Sequence, residues 1–212
     1  ATFALDLAQW GTNEHDLALL TQPNAATLEE ARAVLKMLGA LDETGRITDH
    51  GRALSRVPAH PRIAHMITPA GDNATLPAAL LGERDILQKS GQSDFTKRIQ
   101  AIVDDDPNVS KPTRIRIKSE AKRLTRFTGK NGPLYSLAQM LALAFPDRIS
   151  ARRTGKAPRF ILSGGKGAIM REEDALASQR YIVAIELDGD PREAQIRLAQ
   201  PITEGEIRDL FD

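Results

Sequence analysis

Apolar residues recur with helical spacing over most of the first 145 positions, and strand-like alternation replaces that spacing afterwards. In residues 28–38, leucine and alanine fall at relative positions 0, 3, 7 and 10, which predicts a helix. Thr27 and Glu30 form a capping-box pair at its start, and Gly39 offers a left-handed exit.

The stretch that follows predicts a small hairpin and a second helix. Leu41-Asp42 and Ile47-Thr48 flank a turn in which Gly45 takes the left-handed position. A helix then restarts and ends before Pro58. With a short helix before Gly11, this order is typical of a winged-helix module, and a generic helical bundle with a β-turn fits the pattern equally well.

Residues 61–145 predict further helices packed as a bundle. The first runs to a break at Pro69, the second starts at Thr75 and continues towards Leu87, and two amphipathic helices follow. The segment from Leu134 to Phe145 is apolar on nearly every side, which predicts a buried helix at the centre of the bundle.

Beyond residue 150 the pattern predicts strands joined by glycine and aspartate turns. Four strands and a closing helix, capped by Thr203 with Glu206, indicate a small β-barrel of the OB type. The predicted fold class is therefore α+β, mostly α, with a winged-helix-like domain in residues 1–57, a ratchet-like helical bundle in 58–150 and the barrel in 151–212.

Composition narrows the functional classes. The 212 residues include no cysteine, which excludes disulfide scaffolds and cysteine nucleophiles and fits a reducing, cytoplasmic location. No apolar run approaches the length of a membrane span, and no signal peptide is apparent. The chain also lacks an initiator methionine, so we expect a fragment of a longer protein.

The charge is unevenly distributed along the chain. The net charge is +1 overall, but residues 56–150 hold 15 basic and 9 acidic side chains. A basic middle segment favours a polyanionic partner more than the total charge suggests.

No pattern in the sequence predicts catalysis. The Gly164–Gly167 segment lacks the flanking residues of a phosphate-binding loop and reads as a hairpin turn. His60 and His65 are five apart, a spacing that favours capping or surface roles over a metal pair. Asp104–Asp106 is typical of a solvated loop. We expect no catalytic residue and no metal site in this chain.

The basic helix after Lys111 is the most informative feature. Residues 111–130 hold eight basic side chains and one acidic one. Cations that share one face of a helix repel one another, so an opposite charge is expected nearby, either a nucleic-acid backbone or acidic side chains from elsewhere in the fold. The face comprises Lys111, Arg114, Lys118, Lys122 and Arg126.

A second basic group lies at the entrance of the predicted barrel. OB barrels bind single strands with a positive groove and stacked aromatic rings, but only Phe160 and Tyr181 lie near this group. Contacts to the strand backbone are therefore expected more than base stacking. The cations selected for that contact are Arg159, Lys166 and Arg171.

Several motifs resemble those of DEAH/RHA-type helicases. "LGALDETGRITDHGRALSRVPAHPRIAHMI" and "ALLGERDIL" resemble the segments that follow the motor domains, and "LALAFPDRISARR" with "FILSGGKGA" is similar to the bacterial HrpB branch. The family's aromatic-Leu-Asp-Pro-Pro run is replaced here by "LLTQPN", which leaves any contact made by that loop open.

The resemblance implies an accessory region of winged helix, ratchet bundle and OB-like domain that packs on two RecA-like motor domains and grips single-stranded nucleic acid, expected to be RNA. It also implies that ATP and Mg²⁺ belong to motor domains elsewhere in the parent protein, because this chain has no Walker motif and no D-E-A-H box. We expect no activity from the chain alone.

Two other hypotheses remain open at this point. In one, the chain is a docking module whose basic helix is covered by acids such as Glu29, Glu30, Asp42 and Glu43. In the other, it is a DNA-binding regulator that uses the helix of residues 28–38 for recognition.

Overall fold

The structure is a computed structural model that describes residues 1–87, 91–129, 133–189 and 193–211. Lys130, at the end of the basic segment, lies outside these ranges. The helices of the described residues are α1 (Thr2–Trp10), α2 (Ala25–Met37), α3 (Asp49–Ser55), α4 (Pro61–Ala70), α5 (Thr75–Leu81), α6 (Phe95–Val103), α7 (Lys111–Leu124), α8 (Leu137–Ala144) and α9 (Glu204–Phe211).

The first three helices and one bridge between Leu41 and Ile47 form the winged-helix module, in the order that the sequence predicts. The predicted start of α2 is wrong. Asn24 caps the helix by accepting a hydrogen bond from the Thr27 amide, so α2 begins two residues before Thr27 and the expected capping box with Glu30 does not form.

Two glycines of this module are required by the backbone. Gly45 takes a φ of 86° in the hairpin turn, as predicted. Gly51 lies in α3, and a Cβ built on it would come within 2.2 Å of the Ala40 carbonyl oxygen. Helix α3 therefore packs directly against the backbone that enters the hairpin.

The bundle helices differ from prediction at three ends. Helix α4 continues through Pro69 to Ala70, whereas a break was expected there. Helix α5 ends at Leu81 rather than near residue 87. Helix α8 begins only at Leu137, with Ser136 as its cap, and Leu134 is exposed instead of buried.

The last third forms a closed barrel with five strands among the described residues, in the order β1-β2-β3-β5-β4. All neighbours are antiparallel except β3 and β5, which are parallel. The first strand was missed by the prediction of four strands. The strands are β1 (Ile149–Arg152), β2 (Arg159–Leu162), β3 (Gly167–Ile169), β4 (Tyr181–Leu187) and β5 (Ala194–Pro201).

Helix α9 closes the chain as predicted: Thr203 and Glu206 exchange the two hydrogen bonds of a capping box. One continuous set of buried apolar side chains runs from α1 through the bundle to the outer side of the barrel, and a second set fills the barrel interior. The domain boundaries at residues 57 and 150 stay a prediction, and β1 begins at Ile149, just before the second of them.

Two ion pairs, each made by a buried arginine, tie the helices to their surroundings. Arg62 at the start of α4 donates to both carboxylate oxygens of Asp147, at 2.6 and 2.9 Å, in the turn that leads into β1. Arg98 of α6 binds Asp85 in the same bidentate manner, at 3.0 and 2.8 Å. In the described part of the chain, no helix has both the length and the apolar character that a membrane crossing requires.

Candidate nucleic-acid interface

Helix α7 is held in place by its cap and by two buried residues. The Ser110 hydroxyl accepts a hydrogen bond from the Thr113 amide at 3.3 Å. Pro112 lies in the first turn, where a backbone N–H has no acceptor within the helix, so proline costs no hydrogen bond there. Ile117 and Leu124 are buried, and the helix packs mainly against α5. The opposite face of α7 therefore points away from the bundle.

That outer face carries three lysines. At 100° per residue, Lys111, Lys118 and Lys122 lie within about 40° of one another around the helix axis. All three are exposed, as is Arg126 in the 3-10 turn that follows α7. We call Lys111, Lys118 and Lys122 the lysine face.

One carboxylate reaches this face. Asp105, in the turn after α6, lies 2.8 Å from Lys118 Nζ and 3.5 Å from Arg114 Nε. The hydrogen bond and charge of Lys118, together with the charge of Arg114, lower the pKa of the Asp105 carboxyl, so it is ionised at neutral pH. Among the ion pairs of the described residues, Lys111 and Lys122 take part in none.

The Arg114 side chain forms hydrogen bonds mainly with the backbone of the α6–α7 turn. Its Nη1 donates to the backbone carbonyl oxygens of Asp105, Asp106 and Val109, at 3.0, 2.5 and 2.8 Å. Its side chain is 18 % exposed, against 49 % for Lys118. A role for Arg114 in strand binding stays a prediction.

The remaining cations of α7 point elsewhere and are paired. Arg116 binds both oxygens of Glu83, at 2.6 and 2.8 Å, and Arg123 binds those of Glu120 at 2.7 and 2.6 Å. The helix thus has one side on which the arginines are paired with acids and another side on which two of three lysines have no acidic partner within the described residues.

The acids that the docking hypothesis placed over α7 lie elsewhere. Glu29 pairs with Arg32 at 2.6 Å and Asp42 with Arg46 at 3.3 Å. Neither Glu30 nor Glu43 takes part in an ion pair with α7 among the described residues. Within the described residues these four acids therefore do not cover α7, and the acids from outside the helix that pair with it are Asp105 and Glu83.

The three barrel cations have different surroundings. Arg159 opens β2 and pairs with Glu193 at 3.0 Å. Lys166 is exposed on the turn between β2 and β3, where Gly165 adopts a φ of 84°, and this confirms the hairpin expected for Gly164–Gly167. Arg171 is exposed and faces the loop around Gly91. Within the described residues, Lys166 and Arg171 have no acidic partner.

Sequence reasoning missed an apolar residue on the lysine face. Ile115 is 56 % exposed and lies at i+4 from Lys111 and i−3 from Lys118. Phe127 is also partly exposed, next to Arg126. The lysine face therefore includes an exposed apolar side chain, and its spacing was visible in the sequence.

The histidines of α3 and α4 make capping and ring contacts. His60 caps α4 by accepting the Arg62 amide at 3.3 Å, which confirms the capping role. His65 lies 2.8 Å from His50, and desolvation, with the proximity of His50, lowers its pKa to about 4. Across the described ranges, no three potential ligands among His, Asp and Glu side chains converge on one point.

This chain is similar in sequence and in structure to helicase proteins. The family described as the helicase associated domain (HA2), winged-helix, matches residues 31–59. The ATP-dependent RNA helicase HrpB of Escherichia coli (strain K12) is 29 % identical over 183 residues, which is 85 % of this chain. The crystal structure of the E. coli DExH-box NTPase HrpB matches 99 % of this chain at 30 % identity, with a TM-score of 0.75.

The chain is similar, over nearly its whole length, to the helicase-associated region of HrpB-like DEAH/RHA proteins. A second crystal structure, of the Escherichia coli DEAH/RHA helicase HrpB, matches 96 % of this chain at 25 % identity with the same TM-score of 0.75. The chain spans 21 % of the length of the curated relative and 25 % of each solved chain. The winged-helix domain, the helical bundle and the OB-like barrel of this helicase-associated region agree with the fold class predicted from sequence.

Proposed function

We propose that this helicase-associated region grips single-stranded nucleic acid through the lysine face of α7. The observation that carries the proposal is the division of charge around that helix: Arg116 and Arg123 on one side are paired with acids, whereas Lys111 and Lys122 on another side are exposed and make no ion pair among the described residues. Like charges on one helix face repel, and a phosphate backbone relieves that repulsion while releasing condensed counterions.

The natural strand in this proposal is RNA. The support comes from the printed name of the 29 % identical relative, an ATP-dependent RNA helicase. Lys166 and Arg171 on the barrel would give further backbone contacts, and Ile115 would pack against a base. In the parent protein, ATP and Mg²⁺ would be bound by RecA-like motor domains that this chain does not contain, and those domains would be its protein partner.

Fluorescence anisotropy of a labelled single-stranded RNA, titrated with the chain at several salt concentrations, tests the proposal. The variant Lys111→Gln combined with Lys122→Gln removes two open cations and leaves the buried side of α7 intact. We expect weaker binding and a salt slope about 1.4 units shallower, because each phosphate contact to a single strand contributes about 0.7.

The matched control combines Lys36→Gln with Arg46→Gln on the winged-helix module. It removes the same net charge, and Lys36 lies on the helix that a DNA-binding regulator would use for recognition. The assignment of the lysine face would be refuted if the α7 variant kept the salt slope of the unmodified chain. It would also be refuted if the control lost as much RNA affinity as the α7 variant.

A further inference from the structure

A second basic feature lies away from the lysine face, inside a large cavity. We call this the central cavity; it is open to solvent on one side, has a volume of about 820 Å³ and is lined by α2, the start of α4, α5, α7 and the turn that leads into β1. Ligand cavities in proteins measure roughly 300 to 1,000 Å³, so the central cavity has the size of a ligand site.

The corner beside the barrel holds two guanidinium groups and one carboxylate. Arg62 and Arg148 both line the cavity, and Arg62 takes both oxygens of Asp147 at 2.6 and 2.9 Å. Arg148 Nε lies 3.9 Å from the same carboxylate, outside hydrogen-bond range. The three side chains together carry one positive charge that their own carboxylate does not balance.

Arg148 is fixed in place by contacts that leave most of its donors free. Among the hydrogen bonds of the described residues it makes one, from Nη1 to the Ile185 carbonyl oxygen at 2.8 Å. Its guanidinium lies 5.1 Å from the centre of the Phe145 ring, and that of Arg62 lies 5.5 Å from it. Stacking on an aromatic ring orients a guanidinium without using its N–H groups.

The environment of Arg148 is unfavourable to its charge. Desolvation, followed by the repulsion from Arg62, lowers the pKa of the Arg148 guanidinium, and the charge of Asp147 offsets only part of this. His60 also lines the cavity, and desolvation, followed by repulsion from the ammonium group of Ala1 and then from both arginines, lowers its pKa to about 4. A desolvated cation without a matched partner is destabilising, and an anion in the corner would relieve it.

The acids of the cavity lie on its other walls. Glu83 is held by Arg116 through both oxygens, and Glu120 is held likewise by Arg123. Glu30, on α2, has no ion-pair partner among the described residues. The cavity is therefore polarised, with carboxylates on the α2, α5 and α7 walls and unmatched positive charge at the barrel side.

We propose that the Arg148 corner of the central cavity binds a phosphoryl group. The planar fork of arginine matches two phosphate oxygens, and Phe145 holds that fork against the cavity wall. The His60 imidazole accepts the Arg62 amide through Nδ1, so in the neutral ring the proton is on Nε2, which can donate to the same anion.

Two sources can supply this phosphoryl group, and the test separates them. One is a backbone phosphate of a bound strand, and the other is a free phosphoanhydride such as a nucleotide. The site does not depend on the lysine face, because Arg148 and the α7 lysines belong to different elements and Arg148 faces the cavity rather than the outer surface of α7.

Isothermal titration of the full chain with inorganic pyrophosphate, and anisotropy with a labelled single-stranded RNA, are measured in parallel. The variants are Arg148→Gln, Arg148→Lys and, as control, Arg153→Gln, which removes an exposed cation at the end of β1. We expect Arg148→Gln to weaken binding about tenfold, because the charged hydrogen bonds to phosphate are lost. Arg148→Lys should weaken binding less, because lysine keeps the charge and loses only the bidentate geometry. The control should bind as the unmodified chain does.

Loss of pyrophosphate binding in Arg148→Gln would assign the site to a free phosphoanhydride. If pyrophosphate does not bind but RNA affinity falls with Arg148→Gln, the ligand is a strand phosphate. If RNA affinity falls only in the α7 lysine variants, the result supports the proposed function and contradicts the Arg148 site. Equal affinities of the unmodified chain and both Arg148 variants for both ligands would overturn the inference.

The Gln variant also loses the Ile185 hydrogen bond and the Phe145 contact, so its folding is checked by thermal unfolding. If it does not fold, chemical protection decides the question in the unmodified chain. An arginine-selective dicarbonyl reagent should modify Arg148 more slowly when pyrophosphate or RNA is present, as read by mass spectrometry of the peptide. Equal modification with and without both ligands would refute the site.

Discussion

Neutralising Asp105 should strengthen nucleic-acid binding. This carboxylate holds Lys118 at 2.8 Å, so the lysine must exchange one anion for another when a strand binds. The substitution Asp105→Asn removes the competing charge. Asp105 has a φ of 53°, and asparagine is among the few residues that adopt such a backbone readily, so the α6–α7 turn should keep its shape.

The magnitude follows from counterion release. One more phosphate neutralised on a single strand steepens the salt slope by about 0.7 units. Between about 50 and 200 mM salt, a fourfold change, that slope adds a factor of about 2.5 to the loss of affinity. The variant should therefore bind more tightly at low salt, and its advantage should shrink as salt increases.

Asp104→Asn is the matched control, since it changes the same charge one residue away. Asp104 is exposed and makes no ion pair among the described residues. Anisotropy titrations of a labelled single-stranded RNA at four or more salt concentrations would give the slopes. If Asp105→Asn has the slope and affinity of Asp104→Asn while both remain folded, then Lys118 does not contact the strand and the reasoning from its pairing is wrong.

Three further predictions concern stability and binding. Gly51→Ala should lower the free energy of unfolding, measured by urea denaturation, by about 3 kcal/mol, because the new Cβ would collide with the backbone. The control Gly82→Ala should have little effect, because no atom lies closer than 3.6 Å to its new Cβ. Arg62→Gln should lower it by about 3 kcal/mol, because Asp147 loses its bidentate partner in a largely buried pair; equal stability of the variant would show that the pair is dispensable. Ile115→Ser should weaken RNA binding about threefold with an unchanged salt slope, and a shallower slope would contradict an apolar role.

The sequence was sufficient for elements whose buried positions are apolar. Strands β4 and β5 were predicted because runs of apolar residues bounded by turn residues are visible in the sequence, and helix α9 because its capping box is visible there. Strand β1 was missed for a physical reason: its one fully buried residue is Ser150, whose hydroxyl donates to the Arg148 carbonyl oxygen. A polar residue whose hydrogen bond is satisfied by a neighbouring backbone carbonyl gives no hydrophobic signal.

Helix ends were less predictable, because several residues could serve as caps. Asn24 and Thr27 both suit the start of α2, and Asn24 caps it, which adds Ala25 and Ala26 to the helix. At α8 the pair Ser136 and Gln139 forms a capping box that was present in the sequence and was passed over in favour of the longer apolar run.

The candidate site depends on contacts that the sequence does not specify. The cations of α7 were identifiable by helical spacing, but their division into paired and open sets requires the position of α5, which supports Glu83, and of the turn that carries Asp105. The aspartate run was interpreted as a solvated loop, and only the folded turn places its middle residue against Lys118.

The two proposed anion sites differ in how strictly they would fix the orientation of a bound phosphate. Lysines such as Lys111 and Lys122 are compact charges on flexible stems, so they accept a phosphate from many directions and favour a contact that a moving strand can slide across. Arg148 is planar, stacked on Phe145 and partly withdrawn from solvent, which favours one orientation of one phosphoryl group. Salt screens exposed charges more strongly than partly buried ones. Binding that depends on the lysine face should therefore fade first as salt rises, and the anion at Arg148 should persist to higher salt.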